Sequence, residues 1–177
     1  MTYLALLRGI NVAGKNILPM KDLAQIFAAA GCNNVRTYIQ SGNVIFDAKT
    51  GAPKVAETVR ASIEKRFGYR VPVILRTQEQ LLQTIRGNPF LPAVTDQRWL
   101  HVYFLADPPH ERAISTLDPT RSAGDAFHVL GREVYLHLPN GMGRTKLTNA
   151  YFDSKLSTIC TARNWATVLK LSEMMEE

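Results

Sequence analysis

Twice along the chain a short apolar run of strand length is followed by apolar residues at helical spacing. A pair of strands around a tight turn comes next, and then a second helical stretch. A chain that switches between these periods in this way must pack helices on sheets, so it belongs to the α+β class. In the first round Tyr3 to Leu7 reads as a buried strand and Arg8 to Pro19 as a loop. Met20, Leu23, Phe27 and Ala30 mark a helix between Pro19 and Gly31. Strands at 35–40 and 44–47 flank the turn Ser41-Gly42-Asn43. Val55, Val59, Ile63 and Phe67 predict a helix over 53–67 that Gly68 stops. Val71 to Arg76 is a strand, and Thr77 with Gln80 forms a capping box before a helix that runs to Gly87.

The second round repeats this order. Leu100 to Leu105 is a strand, 110–117 a helix, and 125–130 with 133–138 a hairpin around Gly131-Arg132. A glycine loop follows at 140–145, and a helix is predicted over 147–162. The last segment fits a strand or a helix; Trp165, Val168, Leu169 and Met175, with Asn164 as N-cap, favour a helix over 165–175. The economical reading is a tandem repeat of two ferredoxin-like, split βαβ subdomains. The expected division is 1–88 and 89–177, each with a trailing helix, and the Pro-containing stretch 88–99 is the linker.

Charge divides unevenly between these halves. Residues 1–88 carry 12 Lys+Arg against 5 Asp+Glu, and residues 89–177 carry 9 against 10, for a net +6. A basic half suits an anionic partner, whether a phosphorylated small molecule, a nucleotide or nucleic acid; a solvated basic face fits equally well. Apolar runs are too short for a membrane span, and no secretion signal is apparent, so a cytoplasmic protein without membrane association is expected. Two cysteines, Cys32 and Cys160, cannot build a disulfide framework or a metal cage. The four histidines have no metal-ligand spacing, so no metal is expected and no cofactor can be named. Asp47, at the end of an apolar strand, is a weak hint of magnesium.

Three segments, the 8–16 loop, the 40–43 turn and 161–165, mix Gly or Asn with hydroxyl or cationic groups. They are expected to converge, with Arg8, Lys15 and Arg163 facing one pocket and Asn11 and Asn43 near its wall. Gly9, four residues, then Gly14-Lys15 imitates the phosphate-cradling loop of nucleotide hydrolases. Asn16 stands where that motif needs a magnesium-binding hydroxyl, and Pro19 places the helix start too far beyond Lys15. A Gly/Asn loop carrying Arg8 and Lys15 can still receive an anion, and a glycine-rich connection fits as well. Asn140 to Lys146 holds two glycines with Arg144 and Lys146 and runs toward a helix N-terminus. With Asn164 as N-cap, Arg163 is expected beside free amides at the start of the last helix; a capped helix with Trp165 in the core fits as well. Arg8, Asn11, Lys15, Ser41, Asn43, Arg144, Lys146 and Arg163 are read together as one ligand-binding set. Tyr3, Tyr38 and Phe46 on three strands leave base stacking on RNA as an alternative, although the sequence motif for that activity is absent. An enzyme acting on a phosphorylated substrate is a third reading, for which no general base can be named.

Arg8-Gly9-Ile10-Asn11-Val12, Gly14-Lys15-Asn16, Thr37 to Val44, and Arg163-Asn164-Trp165 with Thr167 resemble the signatures of a bacterial family. It is the domain-of-unknown-function family sixteen-ninety-seven. The resemblance implies tandem ferredoxin-like subdomains and carries no activity. Ala13 departs from the family's usual Gly, and Ala162 from its usual Thr.

Overall fold

A computed structural model describes residues 1–49 and 51–177. The chain forms two compact units, Met1–Leu81 with Leu171–Glu177, and Leu82–Lys170.

In the first unit β1 (Thr2–Leu7) is central, between β3 (Asn43–Asp47) and β4 (Val73–Thr77), and β2 (Asn33–Tyr38) lies outside β3. All three pairings are antiparallel. Ala5, Leu7, Val44, Phe46 and Val73 pack with Leu23 and Phe27 of α1 (Met20–Ala29) and Val55, Val59 and Ile63 of α2 (Ala52–Phe67). The opposite face of the sheet carries Leu4, Leu6, Ile45, Ile74 and Arg76, also buried. Burial on both faces is why Leu4 to Leu7 reads as an unbroken apolar run without alternation. α3 (Gln78–Arg86) starts at the expected capping box: the Thr77 amide donates to Gln80 Oε1 at 3.0 Å and the Gln80 amide to Thr77 Oγ1 at 3.2 Å.

The second unit has the same element and strand order. β5 (Leu100–Leu105) is central between β7 (Glu133–His137) and β8 (Cys160–Asn164), with β6 (Ala126–Leu130) outside β7. These pairings are antiparallel too. Tyr103, Leu105, Val134, Leu136 and Cys160 form a core with Leu117 and with Tyr151, Phe152 and Leu156 of α5 (Asn149–Leu156). α4 is short (Glu111–Ile114), and α6 runs Trp165–Glu176.

Four expectations change. The helix expected over 147–162 ends at Leu156, where Ser157 turns left-handed (φ 52°), and the chain re-enters the sheet as β8. β8 completes the second round. β2 begins at Asn33 and ends at Tyr38, because Ile39 is left-handed (φ 49°) and cannot continue a strand. The helix expected over 110–117 is regular only over Glu111–Ile114. The charge asymmetry does not survive the fold: the first unit holds 11 Lys+Arg and 8 Asp+Glu, the second 10 and 7, so each is +3. The acidic tail Glu173, Glu176 and Glu177 belongs with the first unit, and Arg86 falls in the second.

Candidate functional site

The loop after β1 is a closed knot. The Asn11 amide donates to the Asn16 carbonyl at 3.1 Å and the Lys15 amide to the Val12 carbonyl at 2.9 Å, and Val12 and Lys15 pair as an isolated antiparallel bridge. Asn11 ties this knot down. Its Oδ1 accepts from the Leu18 amide at 2.8 Å, and its Nδ2 donates to the carbonyls of Leu18 and Gln40, both at 2.9 Å. Asn16 Nδ2 donates to the Gly9 carbonyl at 2.9 Å. Gly9, Asn11, Ala13, Gly14 and Asn16 are all left-handed. Asparagine tolerates that conformation better than most residues, and Ala13 adopts it without glycine. Two of the amides that a nucleotide hydrolase would aim at phosphate, those of Asn11 and Lys15, are spent within this loop, and α1 starts five residues beyond Lys15. The loop instead holds up two cations: Lys15 is exposed, and Arg8 is half-buried with its amide on the Pro72 carbonyl at 3.0 Å.

The 40–43 turn supports that loop. Gly42 carries φ 79°, and its carbonyl accepts the Leu7 amide at 2.8 Å. Asn43 is fully buried; its Nδ2 donates to Ser41 Oγ at 2.9 Å and to the Tyr38 carbonyl at 3.1 Å. Asn11 and Asn43, picked from the sequence as ligand groups, thus bond the backbone of the two turns, and Ser41 Oγ accepts from the Asn43 side chain.

In the second unit the 140–147 segment hangs on Ser122. Ser122 Oγ donates to Asp125 Oδ2 at 2.6 Å and accepts from the Lys146 amide at 3.1 Å. Arg144 and Lys146 are exposed. The start of α5 is capped: Thr148 Oγ1 accepts from the Tyr151 amide at 3.2 Å, so the helix terminus is already served by its own chain. Arg163 does not lie beside free helix amides. It is in β8 opposite Val102, 6% exposed, with Nη1 donating to the Ala162 carbonyl at 2.7 Å and Thr161 Oγ1 at 2.9 Å. Burial pushes its pKa down to about 10. Asn164 does cap α6, accepting from the Thr167 amide at 2.8 Å.

Arg163 has a counterpart that sequence reasoning missed. Arg76 is the fourth residue of β4, as Arg163 is of β8. Arg76 faces the third residue of β1, Leu4, and Arg163 the third of β5, Val102. Arg76 is 1% exposed, and its Nη1 also donates to the carbonyl of the residue before it, at 2.9 Å. Aligning the two rounds at their last strands would have paired them.

The aromatic residues serve packing first. Phe46 is fully buried and lies 5.8 Å from Tyr3, stacked, and 5.1 Å from Phe27. Tyr38 is partly exposed. At the other end of the first sheet, Thr2, Asn34, Arg36, Asp47 and Glu177 line a polar cleft of about 480 Å³ that contains none of the ligand-binding set, but does contain Asp47, the weak hint of magnesium. Asp47 accepts from Thr2 Oγ1 at 2.8 Å and from Asn34 Nδ2 at 2.7 Å, and these bonds hold its carboxyl below the usual range. Both cysteines are buried and unbridged. Among the described residues no three or more His, Cys, Asp or Glu gather as a metal site, and no helix is long and apolar enough to cross a membrane.

A protein of this architecture, with two four-stranded antiparallel sheets flanked by helices and loops that present cations, meets one family in comparison. The profile described as "Protein of unknown function (DUF1697)" matches residues 1–135, and the chain belongs to that family. The Arg163-Asn164-Trp165 resemblance lies beyond the matched residues. No curated protein matches the chain. The structure of the conserved bacterial protein SP0830 from Streptococcus pneumoniae is similar, with a TM-score of 0.75 and 20% identity over 98% of each chain. At that identity the likeness shows the fold.

Proposed function

We propose that this chain is a bacterial cytoplasmic protein that binds a phosphorylated small molecule or nucleotide through its glycine- and asparagine-rich basic loops. We read it as two ferredoxin-like subdomains, 1–88 and 89–177. Arg8 and Lys15 supply charge in the first loop, with Asn11, Ser41 and Asn43 fixing the backbone around them. Arg144 and Lys146 supply it in the second, and Arg163 adds a buried cation.

The observation that carries this reading is the first loop. It spends five left-handed residues, one of them Ala13, to hold a tight knot that carries exposed Lys15. Neither 8–19 nor 38–43 contains an Asp or Glu. A non-glycine residue in that conformation costs about 1–2 kcal/mol, and such strain gathers at ligand sites.

A thermal-shift screen of the full chain against nucleotides and sugar phosphates tests it. A ligand at one hundred times its Kd stabilises by about 2.7 kcal/mol. That shift should shrink in Lys15→Gln. If no phosphorylated compound moves the melting temperature, the reading fails.

A further inference from the structure

The second unit holds a cation prepared for an oxyanion and absent from the set above. The Arg121 guanidinium lies over the Tyr151 ring, 4.1 Å from its centroid, and its Nε donates to the Lys146 carbonyl at 2.9 Å. The ring is itself fixed. Tyr151 is 7% exposed, its hydroxyl accepts the Asp118 amide at 2.8 Å, and its edge meets Phe152. Stacking sets the plane of the guanidinium and the Nε bond sets its rotation. Nη1 and Nη2 donate to no protein group among the described residues, and Arg121 itself is exposed.

The same bond and the Lys146 amide on Ser122 Oγ bring the Lys146 backbone to this point, and exposed Arg144 lies two residues before it in the chain. Two acids stand near. Asp118 spends Oδ1 on the Thr120 amide and hydroxyl at 2.8 and 2.7 Å, and Asp125 takes Ser122 Oγ on Oδ2 while its buried Oδ1 has no partner. Neither forms an ion pair with the three cations among the described residues; the Thr120 hydrogen bonds hold the Asp118 carboxyl below its ordinary range, and the charges of Arg121 and Lys155 lower it further. Gathering like charges has a repulsive cost that a bound anion offsets.

We infer that Arg121, oriented by Tyr151, forms with Arg144 and Lys146 a binding site for a phosphoryl group. A planar guanidinium with both terminal nitrogens available presents two parallel donors to two oxygens of one phosphate, and Lys146 adds a point charge. This rests on the reading that the chain binds a phosphorylated ligand, and it names the group that grips the phosphate in the second unit.

Inorganic pyrophosphate is the probe, titrated into the full chain at constant ionic strength while the arginine Nε–Hε resonances are followed by NMR. The Arg121 resonance should shift saturably, and acetate should bind at least tenfold more weakly. Arg121→Gln should weaken pyrophosphate at least tenfold. Arg121→Lys, which keeps the charge and loses the fork, should weaken it nearly as much. Circular dichroism checks that both variants fold, and Tyr151→Leu, which removes the stacking ring, should also weaken binding. If Arg121→Lys binds like the parent, or acetate binds as well as pyrophosphate, the site is diffuse charge and the proposal falls. If Lys15→Gln weakens pyrophosphate and Arg121→Gln does not, the broader reading stands and this one falls. If pyrophosphate and every phosphorylated compound fail to bind, both fall.

Discussion

Gly42 sits where two demands meet. Its φ of 79° suits glycine, and a Cβ placed there would come within 2.7 Å of Leu7 Cβ and 2.9 Å of Ile10 Cδ1. Gly68, at the end of α2, has φ 76° and open space around it. The pair separates backbone strain from crowding. Gly68→Ala should cost about 1 kcal/mol from strain alone, and Gly42→Ala about 2–4 kcal/mol because overpacking adds to it. Urea unfolding of both variants measures the difference; equal losses would show that the turn shifts to make room. Asp47 is a second residue-scale case. Hydrogen bonds from Asn34 and Thr2 lower its pKa below the ordinary 3.8. Its contribution is therefore complete above that value and is lost as pH falls through the lowered one. With screening at a partly exposed site, this is about 1 kcal/mol. Unfolding at about pH 5 and about pH 2.5 should show the parent losing that much more stability than Asp47→Asn.

At the scale of elements, the helix starts were written most plainly. Asn164 carries a cap signal in sequence and accepts the Thr167 amide in the structure. Asn164→Ala should cost about 1 kcal/mol, read by thermal unfolding, and Asn164→Asp should restore most of it. A loss below a few tenths would mean that α6 is fixed by the packing of Trp165 and Val168 alone. β8 was not legible in the same way. Phe152, Leu156, Ile159 and Cys160 keep helical spacing across a break that has no glycine or proline, because Ser157 itself takes the left-handed cap. The β-branched residues Thr158, Ile159 and Thr161 were the available sign of a strand. Site residues were legible by type and not by role. A sequence shows that Asn11 and Asn43 are polar; only the fold shows that their side chains are occupied by the Leu18, Gln40 and Tyr38 backbones. Arg121 escaped notice because its partners, Tyr151 and the Lys146 carbonyl, lie 30 and 25 residues away.

For the whole molecule, the distribution of charge bears on the choice of partner. The basic N-terminal half made nucleic acid a natural alternative. Grouped by compact unit, the charge is +3 and +3, since three glutamates at the C-terminus join the first unit. Two of the aromatics proposed for base stacking, Tyr3 and Phe46, belong to the packing of the first core. A single-strand binder needs a cationic groove that displaces many counterions and exposed rings to stack on. A phosphorylated small molecule needs only a few cations, such as Lys15 on its knotted loop and Arg121 on its ring. The two readings differ in their dependence on salt. For single strands, the slope of log affinity against log salt is about −0.7 for each phosphate contacted. Fluorescence anisotropy with a labelled single-stranded oligonucleotide, between about 50 and 200 mM salt, should give weak binding with a slope no steeper than about −2, or some three phosphates. A slope of about −4 or beyond would mean six or more contacts along a continuous basic track, and would favour nucleic acid over the small phosphorylated ligand.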